Sequence, residues 1–365
     1  MTPPDSPPPS TARALISDAP YGRRQPEKET SLLGPLNALT RHHYENSDGF
    51  RRILDATGGF REAATLADLP HLPVGLFKSH RLLSVPEVDV FKTLTSSGTT
   101  GQQVSRIVLD RETAALQSEA LAKIMGHVLG PKRLPMLIAD TKSILRDRKQ
   151  FSARATGVLG MMSFGRHHRY LLNEEMQLDR DALEAFLDEH GGQPFLIFGF
   201  TFMAWKYLYE PLADAGLDLS NAILVHSGGW KKLAELAISN DVFKARLRDA
   251  TGMDRVYNFY GMVEQVGSVF VEGEDGYLYP PSFADVIVRD PVTWREAEVG
   301  ETGVMQVISP LPVSYPGHSL LTEDLGVVHG VDDSTCGRGG KRFSVIGRVA
   351  KTELRGCSDT HAFDR

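Results

Sequence analysis

Apolar and polar positions follow two styles along this chain. From Asp110 onward, apolar residues fall at 114, 116, 121, 124, 125 and 128, the spacing of one helix face. Asp110 is placed to cap that helix, and Gly130-Pro131 ends it. Compact apolar runs over 107–109 and 136–139 flank it and read as buried strands. The alternation then repeats. A helix over 179–190 is stopped by Gly191-Gly192; a strand at 195–200, a helix at 201–215, a strand at 222–225, a helix at 231–249 and a strand at 256–259 follow. Strands alternating with helices predict a parallel sheet covered on both faces. After Gly267 the pattern changes. Runs at 277–279, 284–288, 304–308, 327–328 and 343–346 predict strands between Gly, Pro and Asp turns, an antiparallel or barrel-like subdomain packed on the first.

The N-terminal part is less regular. Leu32-Leu33, Leu36 to Leu39, Phe50 to Ile53 and the stretch 61–69 suggest short helices. Seven of the 21 prolines lie at positions 3, 4, 7, 8, 9, 20 and 26, so residues 1–28 are expected to be a disordered tail. The expected organisation is that tail, one folded domain over 29–346 (an α/β part at 29–266 and a β-rich part at 267–346), and a short C-terminal tail at 347–365.

Composition narrows the function. An apolar share of 41% and a charged share of 24% suit a soluble globular chain with a sizeable core. A net charge of −6 argues against a basic nucleic-acid footprint. The longest apolar stretch, 194–205, is closed by Lys206 well short of the roughly 20 residues a spanning helix needs. The first nine residues have neither a basic n-region nor an apolar h-region, so a cytoplasmic protein is expected. Two cysteines, Cys336 and Cys357, exclude a disulfide scaffold.

Five segments carry chemistry. In Thr95-Ser96-Ser97-Gly98-Thr99-Thr100-Gly101-Gln102, glycines permit close approach of backbone to a ligand, and hydroxyls suit phosphate oxygens. By composition alone this is equally a surface linker, and no Gly-Lys-Ser/Thr follows to make a Walker loop. Tyr260-Gly261-Met262-Val263-Glu264 follows a predicted strand, where α/β sheets place ligands: a tyrosine to stack on a base and a carboxylate to hold Mg²⁺. His226-Ser227-Gly228-Gly229-Trp230 follows another strand end, and its glycine pair lets a planar ring lie flat on the backbone. Thr322-Glu323-Asp324 offers a carboxylate to paired ribose hydroxyls, and Gly347-Arg348 lies just past the last predicted strand.

In this order and at these separations, the five resemble the motifs of the adenylate-forming superfamily over roughly residues 90–357. Val263 stands where that family's Y-G-x-T-E has threonine, and Glu323 where T-G-D has glycine. Gln103-Val104 replaces the Pro-Lys usual after the phosphate loop; Arg106 is a stand-in for the absent lysine. The chain runs only 17 residues beyond Arg348, leaving no room for the family's mobile C-terminal domain and its lysine. The SSGTTGQ loop, the short chain and Leu354-Arg355-Gly356-Cys357-Ser358 make it similar to the acyl-protein synthetase (LuxE-type) branch; phenylacetate–CoA ligases are more distant.

The resemblance implies an adenylate-forming N-terminal-domain fold: mixed α/β sheets covered by helices, a smaller β-rich subdomain and no large C-terminal domain. It also implies ATP and Mg²⁺ as cofactors and a carboxylic acid, a fatty acid in that branch, as substrate. Ser96, Ser97, Gly98, Thr99, Thr100 and Gly101 would hold phosphates. Gly228, Gly229, Tyr260 and Gly261 would frame adenine, Asp324 and Arg348 would grip ribose, and Glu264 would hold the metal. Cys357, Thr99 and Arg348 are the expected catalytic residues, Cys357 as acyl carrier toward a partner reductase. Lys351 and Arg355 supply the positive charge in sequence that favours a thiolate there. CoA or a carrier protein remains an alternative acceptor, and a degenerate nucleotide-binding protein an alternative of another class. His42-His43 and His167-His168 lack metal-ligand spacing on a helix, and no structural zinc is expected. The aromatics Phe198, Phe200, Phe202 and Trp205 serve core or acyl pocket, and Cys336 is a structural or plain loop thiol.

Overall fold

A computed structural model describes residues 8–96, 104–145, 153–228, 236 and 238–349. Three helices open the chain: α1 (Pro8–Ile16), α2 (Gln25–Asn46) and α3 (Asp48–Ala56). Strand β1 (Leu72–Pro73) leads into a single turn, α4 (Leu76–Ser79). Strands β2 (Lys92–Thr95) and β3 (Arg106–Leu109) form an antiparallel hairpin.

The α/β alternation follows, with two elements the sequence pattern does not predict, a helix at Ala153–Met162 and a strand at Gly165–Leu172. Helix α5 (Arg111–Leu129) is capped by Asp110, which accepts from the Thr113 amide at 2.8 Å. Strand β4 (Leu134–Thr141), helix α6 (Ala153–Met162), strand β5 (Gly165–Leu172) and helix α7 (Arg180–His190) come next. Strand β6 (Phe195–Phe200) leads into α8 (Thr201–Ala204), a π-turn at Trp205–Tyr209 and α9 (Glu210–Leu212). The single helix expected over 201–215 is thus three short pieces. Strand β7 (Ala222–Ser227) precedes α10 (Asn240–Thr251), and β8 (Arg255–Tyr260) closes the alternation. Ser239 caps α10 by accepting from the Val242 amide, so this helix starts well inside the 231–249 expected; residues 229–235 lie outside the described residues.

Six strands complete the chain: β9 (Phe270–Glu272), β10 (Leu278–Tyr279), β11 (Asp285–Arg289), β12 (Thr302–Ile308), β13 (Ser319–Val331) and β14 (Lys341–Arg348). They do not form a separate barrel. A single 12-stranded sheet runs β11-β12-β13-β14-β10-β9-β8-β7-β6-β4-β5, with β1 beside β13. Strands β4 to β8 are mutually parallel; from the β8–β9 contact to β11 all neighbours are antiparallel. The expected boundary at 266 falls between two strands hydrogen-bonded to each other.

Both faces of the parallel part are buried, by alternation. Along β6, Phe195 and Ile197 enter one core, and Leu196 and Phe198 the other; Ala222 and Leu224 against Ile223 and Val225 do the same along β7. Fully burying one such side chain is worth about 1.5–3 kcal/mol.

The expected tail at 1–28 needs correction from Pro8 onward. Pro8 and Pro9 occupy the first turn of α1, and Pro26 that of α2, where the missing amide hydrogen costs no helical bond. Ala12, Leu15 and Ile16 are buried, and Arg13 holds Glu119 of α5 by two hydrogen bonds of 3.0 and 3.2 Å. The Arg338 guanidinium stacks 4.1 Å above the buried Tyr21 ring.

Helix α2 is pinned by a buried ion pair. Lys28 Nζ lies 3.6 Å from Asp285 Oδ1, both side chains almost wholly enclosed. Burial alone would raise the Asp285 carboxyl, but the charges of Lys28 and Lys341 hold it below the ordinary carboxylate range. The stability it contributes is therefore present above the unfolded-state pKa and lost as pH falls through the lowered one. Lys28→Met should cost about 3–5 kcal/mol of urea-unfolding stability at pH 7. The gap from wild type should narrow in acid. An equal gap at pH 7 and pH 3 would show that the charge pair is not its source.

Candidate active site

Those expected site residues that lie among the described residues gather where the parallel and antiparallel parts of the sheet meet. Tyr260 ends β8, and its hydroxyl donates to Asp324 Oδ2 at 2.7 Å. Across the ladder Asp324 is registered against Arg348 at the end of β14, with Arg348 Nε 3.4 Å from Asp324 Oδ1. The carboxylate is enclosed and the guanidinium open: the side chains are 16% and 81% exposed. Burial first, then the negative charge of Asp324, pushes the Tyr260 phenol well above its ordinary pKa, so it stays a hydrogen-bond donor.

A bulge sets the aim of these groups. Val304 pairs with Leu325 and Gln306 with Leu321, so Thr322, Glu323 and Asp324 together face the single residue Met305. The Thr322 hydroxyl donates to the Met305 carbonyl at 2.9 Å and accepts from the Asp324 amide at 3.1 Å, which locks the bulge. Glu323 then meets Lys78 of α4, whose Nζ lies 3.3 Å from Oε1.

Glu264 sits on the 3₁₀ turn Val263–Gln265, only 6% exposed. Its turn is anchored twice: Tyr315 Oη donates to the Glu264 carbonyl at 2.8 Å, and Gln265 Nε2 donates to the Val307 and Gly317 carbonyls at 3.0 and 2.8 Å. Among the described residues, the Glu264 carboxyl forms no ion pair. Burial raises its pKa; the Ser105 hydroxyl, its own backbone amide and the Lys78 charge oppose that rise, while Glu323 adds to it. The wholly buried Ser105 hydroxyl is close enough to Glu264 to hold its pKa down, without a hydrogen bond of regular geometry to any described residue. A buried ionisable carboxyl beside a buried hydroxyl offers two oxygen donors of the type a divalent cation takes.

The candidate phosphate loop departs from and returns to the chain at Ser96 and Ser105. Ser96 and Ser105 close its base: the Ser105 amide donates to Ser96 Oγ at 2.9 Å, and the Ser96 amide to the Ser105 carbonyl at 3.1 Å. Ser97, Gly98, Thr99, Thr100 and Gly101 lie outside the described residues, as do Gly229 and Cys357. Gly228 directly follows β7 with φ of +66°, a conformation that favours glycine, and its carbonyl accepts from the Thr201 amide at 3.2 Å. Since His226 pairs with Asn258, Gly228 and Tyr260 stand two residues beyond one register point on adjacent strands. A Cβ on Gly261 would come within 3.0 Å of Val269 Cγ1, which leaves little room for any side chain.

Two residues of the site have no sequence motif. Lys78 precedes the phosphate loop in an unremarkable segment, and Ser105 follows it; only the sheet brings them to Glu264. Arg106, the expected stand-in for the missing lysine, is exposed at the start of β3. His226, within the glycine motif, is wholly buried; Thr201 Oγ1 is 2.9 Å from its Nδ1, and burial pushes its pKa down to about 3.

A family model described as acyl-protein synthetase, LuxE, matches residues 13–363. A long-chain-fatty-acid–luciferin-component ligase of Vibrio harveyi is 22% identical over 353 residues, which cover 93% of this chain and 88% of that protein. A ligase of the same name from Aliivibrio fischeri is 21% identical, with coverage of 87% and 84%. An open-conformation 2-hydroxyisobutyryl-CoA ligase solved with 2-HIB-AMP and CoA superimposes with a TM-score of 0.68 at 19% identity, over 91% of this chain and 72% of its own. That last likeness is one of fold.

Because burial raises the Glu264 pKa, the neutral side chain is tolerated better than the charged one. Its stabilising share is present below the unfolded-state pKa and is lost as pH rises through the raised value. Glu264→Gln should therefore raise the melting temperature at pH 8, and the gain should vanish near pH 4. A variant no more stable than wild type at pH 8 would refute an uncompensated buried carboxylate.

Proposed function

This chain belongs to the acyl-protein synthetase (LuxE) family, an ATP-dependent acid ligase by class, and from that premise we propose that it makes an acyl-adenylate and then acylates a thiol. In the first step a carboxylate oxygen of the acid bonds to the α-phosphorus of ATP. The bond from that phosphorus to the bridging oxygen breaks, and pyrophosphate leaves. In the second step a thiolate attacks the acyl carbonyl, the mixed-anhydride bond breaks, and AMP leaves with the electron pair.

The observation that carries this reading is the Tyr260–Asp324–Arg348 constellation beside Glu264. Asp324 already accepts from Tyr260 and faces Arg348, so its remaining lone pairs suit the paired hydroxyls of a ribose. Arg348, open to solvent, is free to swing onto the nucleotide. Gly228 and Gly229, with Tyr260 and Gly261, would take the adenine ring. Ser96 and the loop 97–101, including Thr99, would hold phosphates through N–H and O–H donors.

Phosphoryl chemistry of this kind needs alignment and charge neutralisation more than proton transfer. Glu264 and Ser105 would hold Mg²⁺. When bound, the metal supplies charge neutralisation to the triphosphate. A long-chain fatty acid is the substrate favoured, from the relatives' names and the family. Cys357 is the proposed acyl carrier, passing its acyl group to an acceptor protein; a thiol of CoA or of a carrier protein is the competing acceptor.

ATP–pyrophosphate exchange across a panel of fatty and aromatic acids tests the first step. Exchange should appear with long-chain acids, and Asp324→Ala should weaken ATP binding by about 1–3 kcal/mol. No exchange with any acid, from folded protein with Mg²⁺, would sink the ligase reading. For the second step, labelled acid plus ATP should leave a hydroxylamine-sensitive label on the wild-type chain and none on Cys357→Ala. A label that survives the substitution would move the acceptor away from Cys357.

A further inference from the structure

The phosphate loop lacks the lysine of its class, since Gln103-Val104 stands in its place, yet a triphosphate brings about four negative charges to the site. A cation must come from elsewhere. The fold offers one beside Glu323. Strand β1 pairs in parallel with β13, Leu72 against Leu320 and Pro73 against Leu321, and the Val74 amide donates to the Leu321 carbonyl at 2.9 Å. The chain then turns through Gly75 into α4, where Phe77 is buried and acts as an anchor. Lys78 therefore emerges over the bulge that carries Glu323 and Asp324. Its Nζ is 3.3 and 3.5 Å from the two Glu323 oxygens.

That pair is ill suited to a stabilising role. The two side chains are 34% and 44% exposed, and ion pairs so placed contribute about 0–1 kcal/mol. It is well suited to exchange. The ammonium has donors beyond those turned to Glu323 and access to solvent, while Glu323 holds it in place until a better anion arrives. Glu323 occupies the position where the adenylate-forming pattern has glycine, so a chain without a loop lysine has a carboxylate that steers another lysine.

We propose that Lys78 is the phosphate-binding cation of this site, and that Glu323 is its counter-ion in the empty state, displaced when ATP binds. The assignment rests on the adenylation reading given above. On binding, the ammonium leaves the Glu323 carboxylate for a phosphate oxygen, and Glu323 is released to water. Glu323 is a competitor for Lys78 and not a ligand of the nucleotide.

The competition gives opposite signs to two substitutions, which a purely structural ion pair would not. ATP and adenosine affinities are measured by calorimetry on the full-length chain, with melting curves as a check on folding. Lys78→Ala should weaken ATP binding by about 10- to 100-fold and leave adenosine binding unchanged. Lys78→Arg should restore most of the loss. Glu323→Gln should tighten ATP binding in the wild-type background and change it far less when Lys78 is already alanine. Equal ATP affinity for Lys78→Ala and wild type would overturn the assignment, and so would weakened ATP binding in Glu323→Gln. A wild-type chain that binds no ATP would instead overturn the adenylation reading, and this assignment with it.

Discussion

Strand β8 carries the architecture. On one side it is bonded in parallel to β7; on the other it is bonded antiparallel to β9. A strand with those two neighbours converts a helix-covered parallel sheet into an antiparallel one without a break in the ladder. The C-terminal end of β8 is consequently the place where the α/β part meets β13 and β14. Tyr260 stands at that end, and its bond to Asp324 ties the two parts together.

The site draws its shape from two departures from regular structure. The bulge at Thr322–Asp324 sends neighbouring residues toward different partners: Asp324 to Tyr260 and Arg348, Glu323 to Lys78. A regular strand would alternate them between faces and leave the second pair behind the sheet. The turn at Glu264 buries a carboxyl group that would be more stable in water, and Tyr315 and Gln265 hold the turn in that position. A buried carboxyl held against its solvation preference is a common mark of a working site.

The N-terminal helices show how composition misleads. A proline count predicts disorder for residues 1–28, but Pro8, Pro9 and Pro26 sit in first helical turns, where they cost nothing. The energetic reason for order is tertiary: Tyr21 lies under Arg338, and Lys28 reaches Asp285, partners more than 250 residues away. Nothing local to the first 28 residues advertises those contacts. The π-turn at Trp205–Tyr209 is similar, because only packing against neighbours selects it over a continuous helix.

Local order in the sequence sufficed for most of the alternating strands and helices from Ile107 to Phe259, though not for α6 and β5, since hydrophobic period and capping residues such as Asp110 and Asp179 act over a few residues. The order of five short motifs sufficed for the family, and it singled out Tyr260, Glu264, Asp324 and Arg348 as the candidate site residues. The joining of the β-rich part into the same sheet, the burial of Glu264 and the meeting of Lys78 with Glu323 were decided by tertiary structure alone. Their physical reason is shared: each depends on strand pairing between segments far apart in the chain, and such pairing leaves no trace in the spacing of residues along it.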